Sequence, residues 1–370
     1  MSIHHTSPTH VDTVVIGGGQ AGLSIGYHLG RSGRSFTILD ASERVGDAWR
    51  NRWDSLLLFT PARLNGLPGD RFPASRGAFI SKDEMADYLE DYARRFDLPV
   101  QLGARVERVS RRDGGFEVYA GGRLYHSSNV VVATSSFGKP RIPEFADRLD
   151  PGIAQIHSLD YRRPDQIPEG RTLVVGVGNS GADITMEVAK TRDVILAGEP
   201  IGAIPFRIER FFARNVLISV VFLVLTHVVN TGTPIGRKEL KKTGGAPPLI
   251  RVKPKDLKRV ATRVPRIVGV EDGLPVTADG TKLDVSSVIW CTGFRPSFGW
   301  LDLPVLGDGG VPRHERGVVE SEPGLYFCGL LAQHSASSDS IVGVQRDIRY
   351  VLRHLERTRP ALTAPVAATA

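Results

Sequence analysis

An internal duplication constrains this chain more than any other feature. Residues 11–40 (VDTVVIGGGQAGLSIGYHLGRSGRSFTILD) read as apolar strand, glycine turn, amphipathic helix and second strand, and residues 171–198 (RTLVVGVGNSGADITMEVAKTRDVILAG) repeat that order. The first motif glycines, Gly17 and Gly176, are 159 positions apart. A second pair of segments keeps nearly the same offset. Residues 116–135 match residues 274–293, with Ser128 and Ser287 159 apart and Thr134 and Thr292 158 apart. Two independent matches at one offset mark two copies of one nucleotide-binding architecture. Each copy supplies βαβ units for a parallel sheet, so the expected class is α/β with two Rossmann-type dinucleotide-binding domains.

In the first copy Gly17, Gly19 and Gly22 spell GxGxxG between strand and helix. The first glycine permits the tight turn, the second lets a pyrophosphate approach the backbone, and the third lets helix and strand pack closely. Gln20 and Ala21 open the helix, whose free amides and dipole suit phosphate. Asp40 ends the next strand, where an acid can accept hydrogen bonds from ribose hydroxyls. Gly176, Gly178 and Gly181 repeat the pattern with Asn179 and Ser180 between them, but there the next strand runs out into Gly198-Glu199. Two such folds suggest an FAD held permanently and an NAD(P)H that visits.

Residues 322–355 add a strand, a polar turn and an amphipathic helix from about Ile341, with no partner in the second copy. They are expected to return and complete the first domain, which makes the second domain an insertion. The expected layout is an FAD-binding domain at 11–150 and 296–358, with the NAD(P)H-binding domain at 151–295 inserted in it. An extra stretch occupies 203–249, and tails at 1–10 and 359–370 are expected to be disordered.

Composition acts as a filter. The net charge is +7, but Lys and Arg are scattered without an aromatic–basic stripe, which argues against nucleic acid and suits anionic cofactors. Cys291 and Cys328 make no CxxC pair, disulfide framework or metal cluster, and read as small hydrophobes; no metal site is expected. The polar N-terminus lacks the apolar core of a signal peptide, so the expected location is cytoplasmic. Residues 216–229 (VLISVVFLVLTHVV) are nearly all apolar yet shorter than the ~20 residues that span a bilayer. A buried helix or hydrophobic lid is the favoured reading, with contact to a membrane surface as its competitor.

At this point the residues resemble the flavin-containing monooxygenases, especially the plant YUCCA enzymes and their bacterial CzcO-like relatives, over about residues 11–355. The most specific stretch carries a G-x-x-W element at Gly46 to Trp49, then a segment, residues 54–61, that in such enzymes runs beside the isoalloxazine. A helix follows that opens at Ser81-Lys82 and carries Tyr88-Leu89. His157 and Tyr161 match a His-x-x-x-Tyr element before the second domain. Ala133-Thr134-Ser135 and Cys291-Thr292-Gly293 match the family's interdomain linkers. Three positions depart from the pattern: Gly152 is shifted by one position, Ser135 replaces a linker glycine, and Glu199 stands where NADPH users often carry a base.

The resemblance implies that NAD(P)H reduces FAD and that O2 then adds as a C4a-(hydro)peroxyflavin. That species would pass one oxygen atom to a small apolar or aromatic substrate. The alternative is an NAD(P)H reductase or oxidase that hands its electrons to another acceptor. The implied flavin set is Gly17, Gly19, Gln20, Ala21, Gly22, Asp40, Trp49, Val106, Ala133, Thr134 and Gly329. The implied nicotinamide set is Gly176, Gly178, Asn179, Ser180, Gly181, Thr292 and Gly293. Thr60, beside the expected flavin face, and Gln333, in the polar turn after the last strand, are the catalytic candidates; His157 and His334 are read as structural. The resemblance implies NADPH. Glu199 by itself suits the ribose hydroxyls of NADH, so NADPH needs a cation from elsewhere, with Arg192, Arg207 and Arg210 as the candidates.

Overall fold

The computed structural model describes residues 7–135, 137–200 and 202–357. The chain opens with β1 (Thr9–Ile16), α1 (Gln20–Arg31) and β2 (Phe36–Leu39). Next come α2 (Asp47–Arg50), the antiparallel pair β3 (Leu57–Pro61) and β4 (Phe79–Ser81), and α3 (Lys82–Arg95). A short β5 (Val100–Gln101) precedes the antiparallel meander β6 (Val106–Arg112), β7 (Gly115–Ala120) and β8 (Arg123–Val132). After β9 (Lys139–Pro140), a second sheet is built from β10 (Ala154–His157), β11 (Thr172–Val175), α4 (Asn179–Val188) and β12 (Val194–Ala197). Helices α5 (Ile218–His227), α6 (Pro234–Thr243) and α7 (Pro254–Val260) lead to β13 (Thr262–Val264), the hairpin β14 (Ile267–Glu271) and β15 (Leu274–Thr277), and β16 (Ser287–Trp290). Finally β17 (Phe294–Arg295) pairs with β9, while β18 (Leu301–Asp302), β19 (Leu325–Phe327) and α8 (Ile341–Arg357) return to the first sheet.

The parallel parts of the two sheets have one topology. The first runs β19-β8-β1-β2-β5 and the second runs β10-β16-β11-β12-β13. The strand of residues 322–355 therefore has a counterpart after all, contrary to the sequence reading. β19 lies on β8 (Leu325 beside Val130) as β10 lies on β16 (Ala154 beside Ser287). One copy takes its outer strand from the chain that follows it and the other from the chain that precedes it. A second correction concerns the N-terminal tail, because Thr9 and His10 are already part of β1, beside Tyr125 and His126. The remaining tail residues, 1–6 and 358–370, lie outside the described residues.

Both sheets are covered on both faces, which is why their central strands are runs of apolar residues. Alternation divides β1: Val15 faces α1, α3 and α8, while Val14 and Ile16 face the side of the meander. In the second sheet Val174, Leu196 and Ile289 face α4, and Leu173, Ile195 and Val288 face the hairpin. Trp53, from the first domain's connecting segment, is buried in the α4-side core of the second. Beside it the Asp54 amide donates to the Arg162 carbonyl (2.8 Å). The two domains thus share core as well as linkers.

The stretch 203–249 is closed at its base by a bridge between Ala203 and Leu249. A helix covers 211–227, with a π turn at Ala213–Leu217, and takes in most of the apolar run; Ile218, Phe222 and Thr226 are buried against the protein. The favoured expectation of a buried helix holds for that face alone. Val216, Val220, Leu223, Val224 and Val228 are exposed.

Candidate active site

The two glycine loops have nearly superposable geometry. Gly17 (φ 109°) and Gly176 (φ 108°) both need the left-handed region, and a Cβ on Gly17 would lie 2.8 Å from the Ala133 carbonyl. Gly22 and Gly181 sit against the carbonyls of Gly17 and Gly176, which leaves a side chain no room. At Gly19 and Gly178 a Cβ would meet nothing within 4 Å. Each of these two glycines caps its helix without a side-chain hydrogen bond. The first-turn amides of α1 and α4 therefore have no acceptor within their helix or from a cap. Each loop is an open, electropositive cradle.

Around the first cradle the strand ends converge. Asp40 accepts from the Gly18 amide (2.5 Å) and the Ser42 amide (2.7 Å), which fixes its carboxylate between loop and strand. Ala133 donates to Ile16 (2.7 Å), Thr134 follows it, and a Cβ on Gly329 would lie 3.6 Å from Ala21. Val106 begins β6 just after the strap where Gly103 and Ala104 donate to the Ser42 and Asp40 carbonyls. Trp49 sits half-buried on α2, packed on the core under α1 and α3.

Much of the family-specific segment is scaffolding. A Cβ on Gly46 (φ 92°) would lie 2.6 Å from the Ala86 carbonyl, so this glycine lets α2 seat on α3. Ser81 and Glu84 form a reciprocal cap on α3, and buried Lys82 donates to the Arg50 carbonyl (3.0 Å). The Tyr88 hydroxyl accepts from the Leu67 amide (2.8 Å), and burial pushes its pKa up to about 12. The linkers cross as the antiparallel pair β9–β17, where the Arg141 amide donates to the Gly293 carbonyl (2.9 Å) and the Thr292 hydroxyl to the Arg141 carbonyl. His157 stabilises this crossing: Nε2 meets the Gly293 carbonyl (3.1 Å) and Nδ1 accepts from the Leu159 amide (3.1 Å). Burial lowers its pKa, and its two contacts suit a neutral ring. Ser135 (φ 67°) adopts the left-handed backbone that Gly293 (φ 79°) takes in the other linker.

The two catalytic candidates are both committed to internal bonds. The Thr60 hydroxyl donates to Asn65 Oδ1 (2.5 Å), and Asn65 Nδ2 returns to the Thr60 carbonyl (2.9 Å). Gln333 Nε2 donates to the carbonyls of Phe327 (2.9 Å) and Arg316 (3.3 Å), while its Oε1 accepts from the Leu330 amide (3.2 Å). Gln333 thus shapes the turn that carries Gly329. Its neighbour His334 is buried, bonded at Nδ1 to Thr231 (2.8 Å). Burial, with Arg316 and Arg346 nearby, pushes it down to about 4, so it is uncharged at neutral pH. Burial also raises the Cys291 thiol to about 12 and the Cys328 thiol well above its ordinary value, which disfavours thiolate chemistry at both.

The second cradle has neighbours that spacing did not reveal. The Asn179 side chain is spent on the Pro248 carbonyl (3.1 Å) and the Ile250 amide (3.0 Å), which ties the end of the 203–249 stretch beside α4. Ser180 remains half-buried at the second position of α4. At the end of β12 stands Arg263, from the adjacent β13, donating to the Gly198 carbonyl and lying 3.4 Å from exposed Glu199. None of the three arginines anticipated for this position occupies it. Arg192 bonds the Ile167, Pro168 and Thr191 carbonyls just before β12, Arg207 pairs with Asp256 (2.6 Å), and no contact of exposed Arg210 with this turn is found. A cleft of about 620 Å³ lined by Arg171, Asp193 and Ser286 lies at the amino ends of β11, β12 and β16, opposite to where such sheets bind ligands.

Residues 14–199 match the family model described as pyridine nucleotide-disulphide oxidoreductase. The CzcO-like oxidoreductase of Geobacillus kaustophilus is 38% identical over 93% of this chain and 98% of its own. YUCCA7 of Arabidopsis thaliana, described as a probable indole-3-pyruvate monooxygenase, is 27% identical over 90% of this chain and 86% of its own. Among solved structures, the flavin-containing monooxygenase of Stenotrophomonas maltophilia is 30% identical with a TM-score of 0.78, covering 94% of this chain and 99% of that one.

Proposed function

This chain belongs to the pyridine nucleotide-disulphide oxidoreductase family and is a flavin-dependent monooxygenase, and from that premise we propose its cofactors and the class of its substrate. FAD occupies the first cradle, NADPH visits the second, and the oxygen atom goes to a small apolar or aromatic molecule. The observation that carries the cofactor assignment is the pair of open positions at Gly19 and Gly178, each at an uncapped helix. Residues 20–22 offer amides to one pyrophosphate and residues 179–181 to the other. Asp40, pinned by two amides, keeps a fixed acceptor for ribose hydroxyls. When bound, the flavin supplies the redox chemistry and the activation of O2.

Arg263 favours NADPH. It lies against the turn that follows β12, where a 2′-phosphate would sit, and it offsets the charge of Glu199. For the substrate, Phe59 stacks with Phe222 (6.4 Å between rings), and Leu64, Phe206 and Val342 join the same apolar cluster. That wall excludes water beside the β3 segment and suits an apolar or aromatic guest. The test is anaerobic reduction with NADPH followed by labelled O2. Reoxidation in two spectrally distinct phases, with label appearing in an apolar product, is expected. Single-phase reoxidation with stoichiometric hydrogen peroxide would favour the oxidase alternative.

A further inference from the structure

Half of the exposed large hydrophobic side chains, eight of sixteen among the described residues, fall within residues 211–235. Val216, Val220, Leu223 and Val224 fall at helical spacing on the face opposite Ile218 and Phe222, and exposed Phe211 and Phe212 precede them across the π turn Ala213–Leu217. Phe211 is 76% exposed, and Ile235, at the start of α6, is 69% exposed. A helix apolar on all sides belongs in a core or in lipid, yet this one turns half its surface outward.

It cannot fold inward to hide that face, because its inner side is already engaged. Phe222 stacks on Phe59, and Arg63 donates to the carbonyls of Arg214 (2.7 Å) and Asn215 (3.0 Å) and to the Ser219 hydroxyl (2.8 Å). Arg346 donates to the Thr226 carbonyl, and the Thr226 and Ser337 hydroxyls are 2.7 Å apart. No described helix is long and apolar enough to cross a membrane, and the 17 helical residues span only about 26 Å.

Charge identifies the occupant. Residues 203–249 hold seven Arg and Lys against two Glu, a net +5 in a chain whose total is +7. Arg210 precedes the apolar face, Arg214 lies near its start, and Arg237, Lys238, Lys241 and Lys242 follow it, with no ion pair at any of the six among the described residues. A two-fold contact between copies would bring this patch against itself, setting one cluster of unpaired bases against another. An anionic bilayer instead offers acyl chains for the aromatic and aliphatic face and phosphate headgroups for the bases.

We propose that the outer face of the 211–235 segment lies in the plane of an anionic lipid surface and docks the enzyme there. The membrane contact that sequence left as the lesser reading is thereby the preferred role of this face. The test is co-sedimentation of the full flavin-loaded chain with vesicles of phosphatidylcholine, with and without phosphatidylserine. Wild type is expected to pellet with the mixed vesicles and to be released as salt rises from 0.1 to 1 M, which shortens the screening length from about 10 to about 3 Å. Lys238→Glu/Lys241→Glu/Lys242→Glu should weaken binding tenfold or more, and Val220→Ser/Leu223→Ser should abolish it. Flavin content and melting temperature, unchanged in both variants, show that the fold is intact. The proposal is overturned if wild type stays in the supernatant with both vesicle types or if the variants bind as wild type does. It is equally overturned if light scattering shows a wild-type dimer that the same substitutions dissociate.

Discussion

In the first nucleotide-binding copy the strand after the glycine loop ends in Asp40, held between the amides of Gly18 (2.5 Å) and Ser42 (2.7 Å). At the same offset in the second copy stands Glu199, exposed, with Arg263 3.4 Å away and buried Val177 in the place of Gly18. The first acid is built into its loop, whereas the second is free to be outvoted by a neighbouring cation. The helices differ in the same sense. Asn179 spends its side chain tying down residues 248–250, a tie with no counterpart at Gln20 among the described residues. On the assignment proposed above, a shared backbone is furnished once for a permanent guest and once for a visiting one whose phosphate pattern must be read.

The largest effects should come from filling the two open positions. Because a Cβ at Gly19 or Gly178 meets no protein atom within 4 Å, Gly19→Val and Gly178→Val should both fold. Gly19→Val is expected to purify without flavin. Gly178→Val should remain yellow but resist reduction by NADPH, as read from flavin absorbance in an anaerobic cell. Full flavin occupancy in the first variant, or flavin loss in the second, breaks the assignment of guests to copies.

A smaller effect is expected at Arg263. A hydrogen bond to a charged group contributes about 1.5–3 kcal/mol, roughly ten- to a hundredfold in affinity. Arg263→Gln should weaken NADP+ binding by that factor in calorimetry while leaving NAD+ nearly unchanged, and Glu199→Arg should strengthen NADP+ binding. Equal losses for both nucleotides would mean that Arg263 only braces the Gly198 carbonyl.

The smallest effect separates the two linkers. Ser135 at φ 67° carries a side chain where the other linker has Gly293 at φ 79°. The left-handed region costs a side-chain-bearing residue about 1–2 kcal/mol, so Ser135→Gly should raise the melting temperature slightly and Gly293→Ser should lower it. A fall with Ser135→Gly would show that the serine makes contacts worth more than its strain.

What the sequence determined by itself was local: two strand–loop–helix units, the glycines that must turn or pack, the acid at the end of β2, and α8 beginning at Ile341. These follow from spacing, because a few residues in order fix one turn of backbone and one buried face. Tertiary structure decided everything that depends on which strands become neighbours. The pairing of β10 with β16 gave the second copy its outer strand from the wrong side of the chain, and the pairing of β12 with β13 brought Arg263 to Glu199. The internal bonds of Thr60 and Gln333 and the burial of Trp53 in the other domain's core are of the same kind. So is the outward face of the 211–227 helix, since an apolar run carries no record of which side will find a partner. Pattern sets the shape of each piece, and the order of strands in a sheet, chosen by the chain as a whole, sets what each piece touches.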